Sequence, residues 1–269
     1  MLMRESQFIN SILTNAEVWY NLTKKDIENL EDLDNSLLRQ ILNVPFTVPK
    51  EVLFLELGIL DIGTIIKARR INYLHTLLKC SVSEMLFKFF KTQWDHSASG
   101  DWTRQVKVDL KDFGISHDLG EIKLKSTYSF KKLVQVKSKE YALYKYLGKK
   151  EKHSKLENLF YPELKMQDYL KSENLSVEQA KTVFLYRSRM AQYSANYPNG
   201  SEVSPCPLCN LHIDNQPMGF KNCSVIKDNI EVKGKYENIF SDQIKPQLAQ
   251  SLIEIEKYRE NFLNNRNVK

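Results

Sequence analysis

Cysteine is scarce in this chain: four in 269 residues, three of them, Cys206, Cys209 and Cys223, in one short stretch. A disulfide-stapled secreted scaffold spreads its thiols in pairs, so this distribution excludes that class. The remaining thiol, Cys80, ends an apolar helical stretch and reads as a buried free cysteine. An odd thiol beside a metal-type trio belongs to a reducing compartment, and the expected location is intracellular, nuclear or cytoplasmic. Nowhere do about 18 apolar residues run together, so no membrane span is expected. The first residues, Met1-Leu2-Met3-Arg4-Glu5-Ser6-Gln7, lack a secretory apolar core, so export is not expected either. No glycine-rich phosphate loop occurs, and no segment recurs at a fixed period, which argues against a solenoid.

What is present is a folded composition with an uneven charge. Charged residues make up 27% and aromatics 11%, and 269 residues suffice for one large or two small domains. The net charge of +6 hides a local excess: between Glu121 and Lys155 eleven lysines face only Glu121, Glu140 and Glu151. Tyr128, Tyr141, Tyr144 and Tyr146 are interleaved with them. Lysines for phosphates beside rings for bases suit a surface that holds nucleic acid, with Lys131, Lys132, Lys137 and Lys139 at its centre. The plainer alternative is a solvated lysine face over packed tyrosines.

The pattern of apolar residues predicts a mainly α protein. Thr23 and Asp26 form a capping box, and Ile27, Leu30, Leu33, Leu37, Leu38, Ile41 and Leu42 then follow the spacing of a helix buried on that face. A short apolar helix from Pro49 to Leu57 ends at Gly58, and another runs from Ile62 to about Lys79. Further helices are predicted over Val82–Trp94, Asp101–Phe113, Ser129–Leu147, Pro162–Lys171 and Ser176–Tyr193, and one after Pro246. Linkers are expected at 96–100, 149–155 and 196–201, and the stretch 199–235 is the one place for a β-hairpin.

Cys206-Pro-Leu-Cys209 grips an ion from one tight turn, His212 lies a further two-residue gap on, and Cys223 can close a tetrahedron. The expected set is Cys206, Cys209, His212 and Cys223, holding zinc in a structural role because no position is left for a reactive water. The alternative is a decayed site with three free thiols.

Four segments together resemble a known family. Asn15-Ala16-Glu17-Val18-Trp19-Tyr20, Leu37 to Pro45, Leu53 to Ile62 and Lys67-Ala68-Arg69-Arg70-Ile71-Asn72-Tyr73-Leu74 are similar to the segment after the palm in non-long-terminal-repeat retrotransposon reverse transcriptases. In that family the segment forms a thumb with a helical extension, followed by a helical linker and a Cys/His knuckle. The resemblance implies a thumb-like unit over 1–95, a basic helical linker over 96–198, the knuckle over 199–235 and a C-terminal helix over 236–269. It places Lys67, Arg69 and Arg70 toward template phosphates. Lys181, Arg187 and Arg189, with Phe184 and Tyr186, would then contact a single strand beside the knuckle. The implied partners are RNA or DNA and the palm portion of a reverse transcriptase. One departure stands out: the family's His five positions before the last Cys is Met218 here.

Catalysis is not expected. The chain has no adjacent Asp pair to carry the two metals of polymerisation, so it reads as a carboxyl-terminal fragment without the palm. Glu231-Val232-Lys233 fits the short acid-x-Lys pattern of a nuclease, but Asp109-Leu110-Lys111, Glu121-Ile122-Lys123 and Glu163-Leu164-Lys165 fit it equally. His75 and Cys80 read as core, and His96, His117 and His153 as surface. Two other readings stay open: a helical interaction scaffold, and a non-functional relic of a mobile element.

Overall fold

In a computed structural model of the protein, the described residues are 4–79, 84–96, 98, 100–148, 159, 161–196, 204–241 and 244–266. Helices dominate them, as expected. A π-helical turn at Arg4–Ile9 leads into α1 (Asn10–Ile12), and a 3-10 turn at Ala16–Val18 precedes α2 (Lys24–Leu42). Then come α3 (Lys50–Leu57), α4 (Ile62–Lys79), α5 (Glu84–Asp95), α6 (Trp102–Asp112), α7 (Leu119–Leu124) and α8 (Thr127–Leu147). The later elements are α9 (Val177–Arg187), α10 (Gln216–Lys221), α11 (Ser224–Asn229) and α12 (Pro246–Arg266), with short 3-10 turns between. Among the described residues there is no strand. The expected hairpin is reduced to one antiparallel bridge between Pro205 and Ile213.

The chain folds into two compact units that cut across the expected boundaries at 95 and 198. One comprises Met1–Ile41, Ile59–Gly148 and Pro162–Leu164, the other Leu42–Gly58, Lys149–Tyr161 and Lys165–Lys269. The reason lies in packing: α6, α7 and α8 all lie on α4, so the presumed linker shares a core with the presumed thumb.

In the first unit α4 is the axis. Ile62, Ile66, Arg70, Leu74 and Leu78, spaced four apart, are all buried. Leu74 and Leu78 join Val106, Leu110, Ile122, Phe130 and Val134 in one apolar cluster. His75 is buried in it, stacked on Phe130 at 4.5 Å with Nε2 3.1 Å from the Lys125 carbonyl, so it is a core histidine. Cys80 lies outside the described residues.

Asp61 starts α4. Its carboxylate accepts from Thr64 N (3.1 Å), Thr64 Oγ1 (2.8 Å), Tyr146 OH (2.8 Å) and Lys145 Nζ (2.9 Å). Burial works to raise its pKa, but the Lys145 charge and these bonds outweigh it and hold the carboxyl below its ordinary range.

The face of α2 differs from expectation. Thr23 and Asp26 do form the capping box, with Thr23 N donating to Asp26 Oδ2 at 2.9 Å and Asp26 N to Thr23 Oγ1 at 3.2 Å. Yet the inner face carries Glu31, Asp34, Asn35 and Leu38, while Leu33 and Ile41 are 57% and 45% exposed. The cause is charge. Arg4, fully buried, donates to both Asp34 oxygens at 2.7 and 2.6 Å and to the Leu60 carbonyl at 3.0 Å, and a buried guanidinium holds its carboxylate inward.

In the second unit every residue of α3 from Glu51 to Leu57 is buried. Glu56 is the hub: its carboxylate accepts from Tyr161 OH (2.6 Å), Tyr169 OH (2.9 Å) and Arg187 Nε (2.9 Å). Arg187 Nη1 donates onward to the Ile239 carbonyl at 2.9 Å. Gln167 N donates to the Glu56 carbonyl at 2.9 Å, and these tertiary bonds replace the helix expected over 162–171, leaving a 3-10 turn at Asp168–Leu170. Gly58 adopts φ +63°, and a Cβ there would stand 2.0 Å from the Lys165 carbonyl carbon, so only glycine fits.

Ser176 and Gln179 make a reciprocal capping box at α9, which packs on α12. Expected to reach Tyr193, α9 stops at Arg187. Arg189 takes φ +53°, Met190 N bonds the Leu185 carbonyl and Arg189 N the Tyr186 carbonyl, which is a Schellman stop without glycine.

Removing one charge from a buried pair leaves the other uncompensated. Glu56→Gln is expected to lower the unfolding free energy by about 3 kcal/mol in urea titration. Lys137→Ala, which removes only an exposed pair with Glu140, is expected to change it by less than about 1 kcal/mol.

Candidate metal and nucleic-acid sites

The three clustered cysteines converge within the second unit. Cys206 N donates to the His212 carbonyl at 2.6 Å and Asn210 N to the Cys206 carbonyl at 2.8 Å, closing a tight loop with Asn210 at φ +54°. Asn215 caps α10, and Cys223 N donates to the Met218 carbonyl at 3.0 Å, which brings Cys223 to the start of α11. The three sulfurs lie within 4.8 Å of one another, with Cys206 and Cys223 buried and Cys209 half-buried. Cys206 Sγ is 3.9 Å from Cys223 Sγ. Zinc–sulfur bonds of about 2.3 Å at the tetrahedral angle set ligand sulfurs about 3.8 Å apart, so this spacing suits one ion.

The electrostatics of the trio are uneven. Burial, reinforced by its thiol neighbours, pushes Cys223 up to about 11. Burial acts on Cys209 in the same direction, but the N–H groups of Leu211 and His212 and the other two thiols outweigh it, so its pKa lies below the ordinary value. Cys209 is therefore more readily ionised than Cys223.

His212 is not brought to the cluster. Its side chain is exposed, its carbonyl serves the loop, and among the described residues only the three sulfurs share the site. Met218 is half-buried and contributes backbone contacts to the turn. The protein therefore has a three-cysteine cluster able to hold a metal ion, with no protein side chain seen in the fourth position among the described residues.

The basic residues fare differently from expectation. Arg70 is buried and gives both Nε (2.6 Å) and Nη2 (3.2 Å) to Asp109. Lys67 pairs with Asp112 and lies 3.8 Å from Asp109. Arg69 reaches the Leu13 carbonyl and Asn10 Oδ1. Arg187 is buried on Glu56, and its neighbours Phe184 and Tyr186 are core residues at 1% and 0% exposure. Lys67, Arg69, Arg70 and Arg187 thus each bond acceptors of the protein itself. Arg189 and Lys181 are half-buried, Arg189 at the helix stop described above.

The α8 lysines are split around the helix. Lys131 and Lys132 are exposed, Lys139 is half-buried, and none has a carboxylate partner among the described residues. Lys137, five positions beyond Lys132, stands roughly 140° away around the axis and pairs with Glu140 at 2.8 Å. Lys145 is drawn onto Asp61. What remains on one face is Tyr128, Lys132, Gln135 and Lys139, in steps of four, three and four, with Tyr128 77% exposed and Lys131 on the flank. Gln135 carried no composition signal, and only helical spacing adds it.

Among the described residues the acid-x-Lys carboxylates lie outside the one side-chain cluster that could hold a metal ion. Asp109 is taken by Arg70, Glu121 pairs with Lys125 at 3.5 Å, and Glu231 is exposed beside Lys233 at 3.8 Å. Among the described residues no helix is long and apolar enough to cross a membrane. The chain matches no family model, no curated protein and no solved structure.

Cobalt substitution tests the cluster directly. One ion per chain is expected, with thiolate charge-transfer absorption that Cys206→Ser or Cys223→Ser abolishes. His212→Ala is expected to leave stoichiometry unchanged and affinity within about threefold.

Proposed function

We propose that the chain is a nucleic-acid-holding helical protein, corresponding to the thumb, linker and knuckle portion of a retrotransposon-type reverse transcriptase. The observation that carries the reading is the α8 face: an exposed tyrosine in line with two lysines that have no carboxylate partner among the described residues. Lysines so placed neutralise phosphates without reading sequence, and a tyrosine offers a ring on which a base stacks. Zinc, if it is the ion on the three thiolates, acts structurally. His212 can serve as its fourth ligand only by turning inward from its exposed position. No polymerase or nuclease chemistry belongs to this reading.

A second reading has its own observation. Met85 and Phe89, one turn apart on α5, are 66% and 63% exposed, an apolar pair suited to a protein partner. In that case the protein is a scaffold and its lysines serve solubility.

Binding of single-stranded RNA and DNA at two salt concentrations separates them. For Lys132→Glu with Lys139→Glu, affinity is expected to fall at least about tenfold at low salt, and the slope of log affinity against log salt to shrink by about 1.4. Lys137→Glu, roughly 140° away around the helix, is the control and is expected to do much less. Equal binding by the double variant and the native chain would remove α8 as the site.

A further inference from the structure

Within the second unit, α9, α12 and the turn after α9 border a cleft of about 610 Å³, a volume that suits a nucleoside-sized molecule. Part of its lining is apolar, from Leu185, Met190 and Leu263; the charged part is Glu256, Arg259 and Glu260, beside Tyr193. None of these residues belongs to the thiol cluster or to the α8 face.

The charges in the cleft are not balanced internally. Arg259 is 3% exposed, its guanidinium lies 4.0 Å over the Tyr193 ring, and Nη2 donates to Asp214 (2.9 Å) and to the Gln192 carbonyl (3.0 Å). Asp214 thus matches the Arg259 charge. Arg259 Nη1, also buried, has no acceptor among the described residues. Such a donor is rare in a folded protein and calls for an explanation. Glu256 accepts from Tyr186 OH at 2.7 Å, and Tyr186 OH lies 3.1 Å from Tyr193 OH. Neither Glu256 nor Glu260 has a basic partner within 4 Å among the described residues. Burial lifts the Glu256 carboxyl above its ordinary range despite the Tyr186 bond and the nearby Arg259 charge, and Glu260 and Asp214 add to the lift. The cleft therefore wants N–H donors for its carboxylates and an acceptor for its guanidinium, on a body with apolar faces.

We propose that this cleft binds a guanine base. Guanine alone among the common bases sets two adjacent N–H donors, N1 and N2, beside the acceptor O6 on one edge, with N7 as a second acceptor. Adenine turns the bare N1 lone pair toward a carboxylate, cytosine does so with N3, and uracil offers a single N–H between two carbonyls. The purine faces match the Leu185, Met190 and Leu263 lining. The base can come from a free nucleotide or from an unpaired guanine in a single strand, and the recognition is the same. The proposal does not depend on the α8 face.

Calorimetry on the full chain tests it with guanosine 5′-monophosphate, adenosine 5′-monophosphate and the pentanucleotides UUGUU and UUAUU. Each guanine probe is expected to bind about tenfold or more tightly than its adenine counterpart. Glu260→Gln, at an exposed position, and Leu263→Trp, which fills the cleft, are each expected to weaken the guanine probes about tenfold with the thermal midpoint unchanged. Tighter binding of UUGUU than of the mononucleotide assigns the base to a strand, and equal binding assigns it to a free nucleotide. The Lys132→Glu, Lys139→Glu variant is expected to keep mononucleotide binding, which separates this site from the phosphate grip. Equal affinity for guanine and adenine probes, no binding of either at millimolar concentration, or indifference to both cleft variants overturns the proposal.

Discussion

Buried guanidinium groups, each fixed by a carboxylate, set the internal geometry of both units. Arg4 with Asp34 and Arg70 with Asp109 lie in the first, Arg187 with Glu56 and Arg259 with Asp214 in the second. A pair of this kind adds little net stability over an apolar pair, but losing one partner costs about 3–5 kcal/mol, so each is far more effective at fixing orientation than at adding stability. Apolar surface tolerates rotation and sliding; a two-pronged guanidinium bond does not. The turned face of α2 shows the consequence: Asp34 faces inward with Arg4, and Leu33 and Ile41 are left in solvent.

The same constraint decides which positive charge is available to a partner. A lysine-rich sequence suggests one broad phosphate track, but much of that charge is neutralised inside the protein. Lys145 is held by Asp61, Lys67 by Asp112 and Asp109, and Arg70 and Arg187 are buried. Counting charges along the chain therefore overstates the surface field, because a charge paired within a few ångströms contributes little at longer range. On α8 what is left is narrow: Lys132 and Lys139 in line with Tyr128. On the proposed nucleic-acid reading, such a stripe orients a strand along the helix axis instead of blanketing it, which favours positioning over tight general binding.

Much of the helical fold was legible because its signals are local. Thr23 with Asp26, Ser176 with Gln179, Gly58 and Pro246 marked helix ends correctly, since capping depends on three or four neighbouring residues. The segment 162–171 was illegible because its conformation depends on bonds to Glu56, over a hundred residues away in sequence. The inward arginines were written in the spacing, though not in the composition. Arg70 continues Ile62 and Ile66, Arg187 follows Val183, and Arg259 follows Ile255, each four positions on from a buried apolar residue. A charged residue in step with an apolar stripe is better read as a core cation awaiting its carboxylate than as a surface grip. At the thiol cluster the spacing revealed the three cysteines but not the fate of His212, because a two-residue gap fixes the loop and leaves the side chain free to point either way.

The thiol cluster and the arginine pairs answer the same physical problem at different scales. Between Ser204 and Asn229 the only helices are α10 and α11, six residues each, too short to be stable by propensity. Long helices such as α4 and α12 present enough apolar surface for a core to hold them, and buried ion pairs then select their orientation. A segment of one-turn elements has no such surface, and its stability must come from a strong local tether. Three sulfurs held within 4.8 Å, one of them pushed up to about 11 as a thiol, form an arrangement that repels itself once ionised and is relieved by a cation. Metal affinity in such a segment is folding free energy, so an ion held by the three sulfurs would contribute to the shape of the 204–229 region.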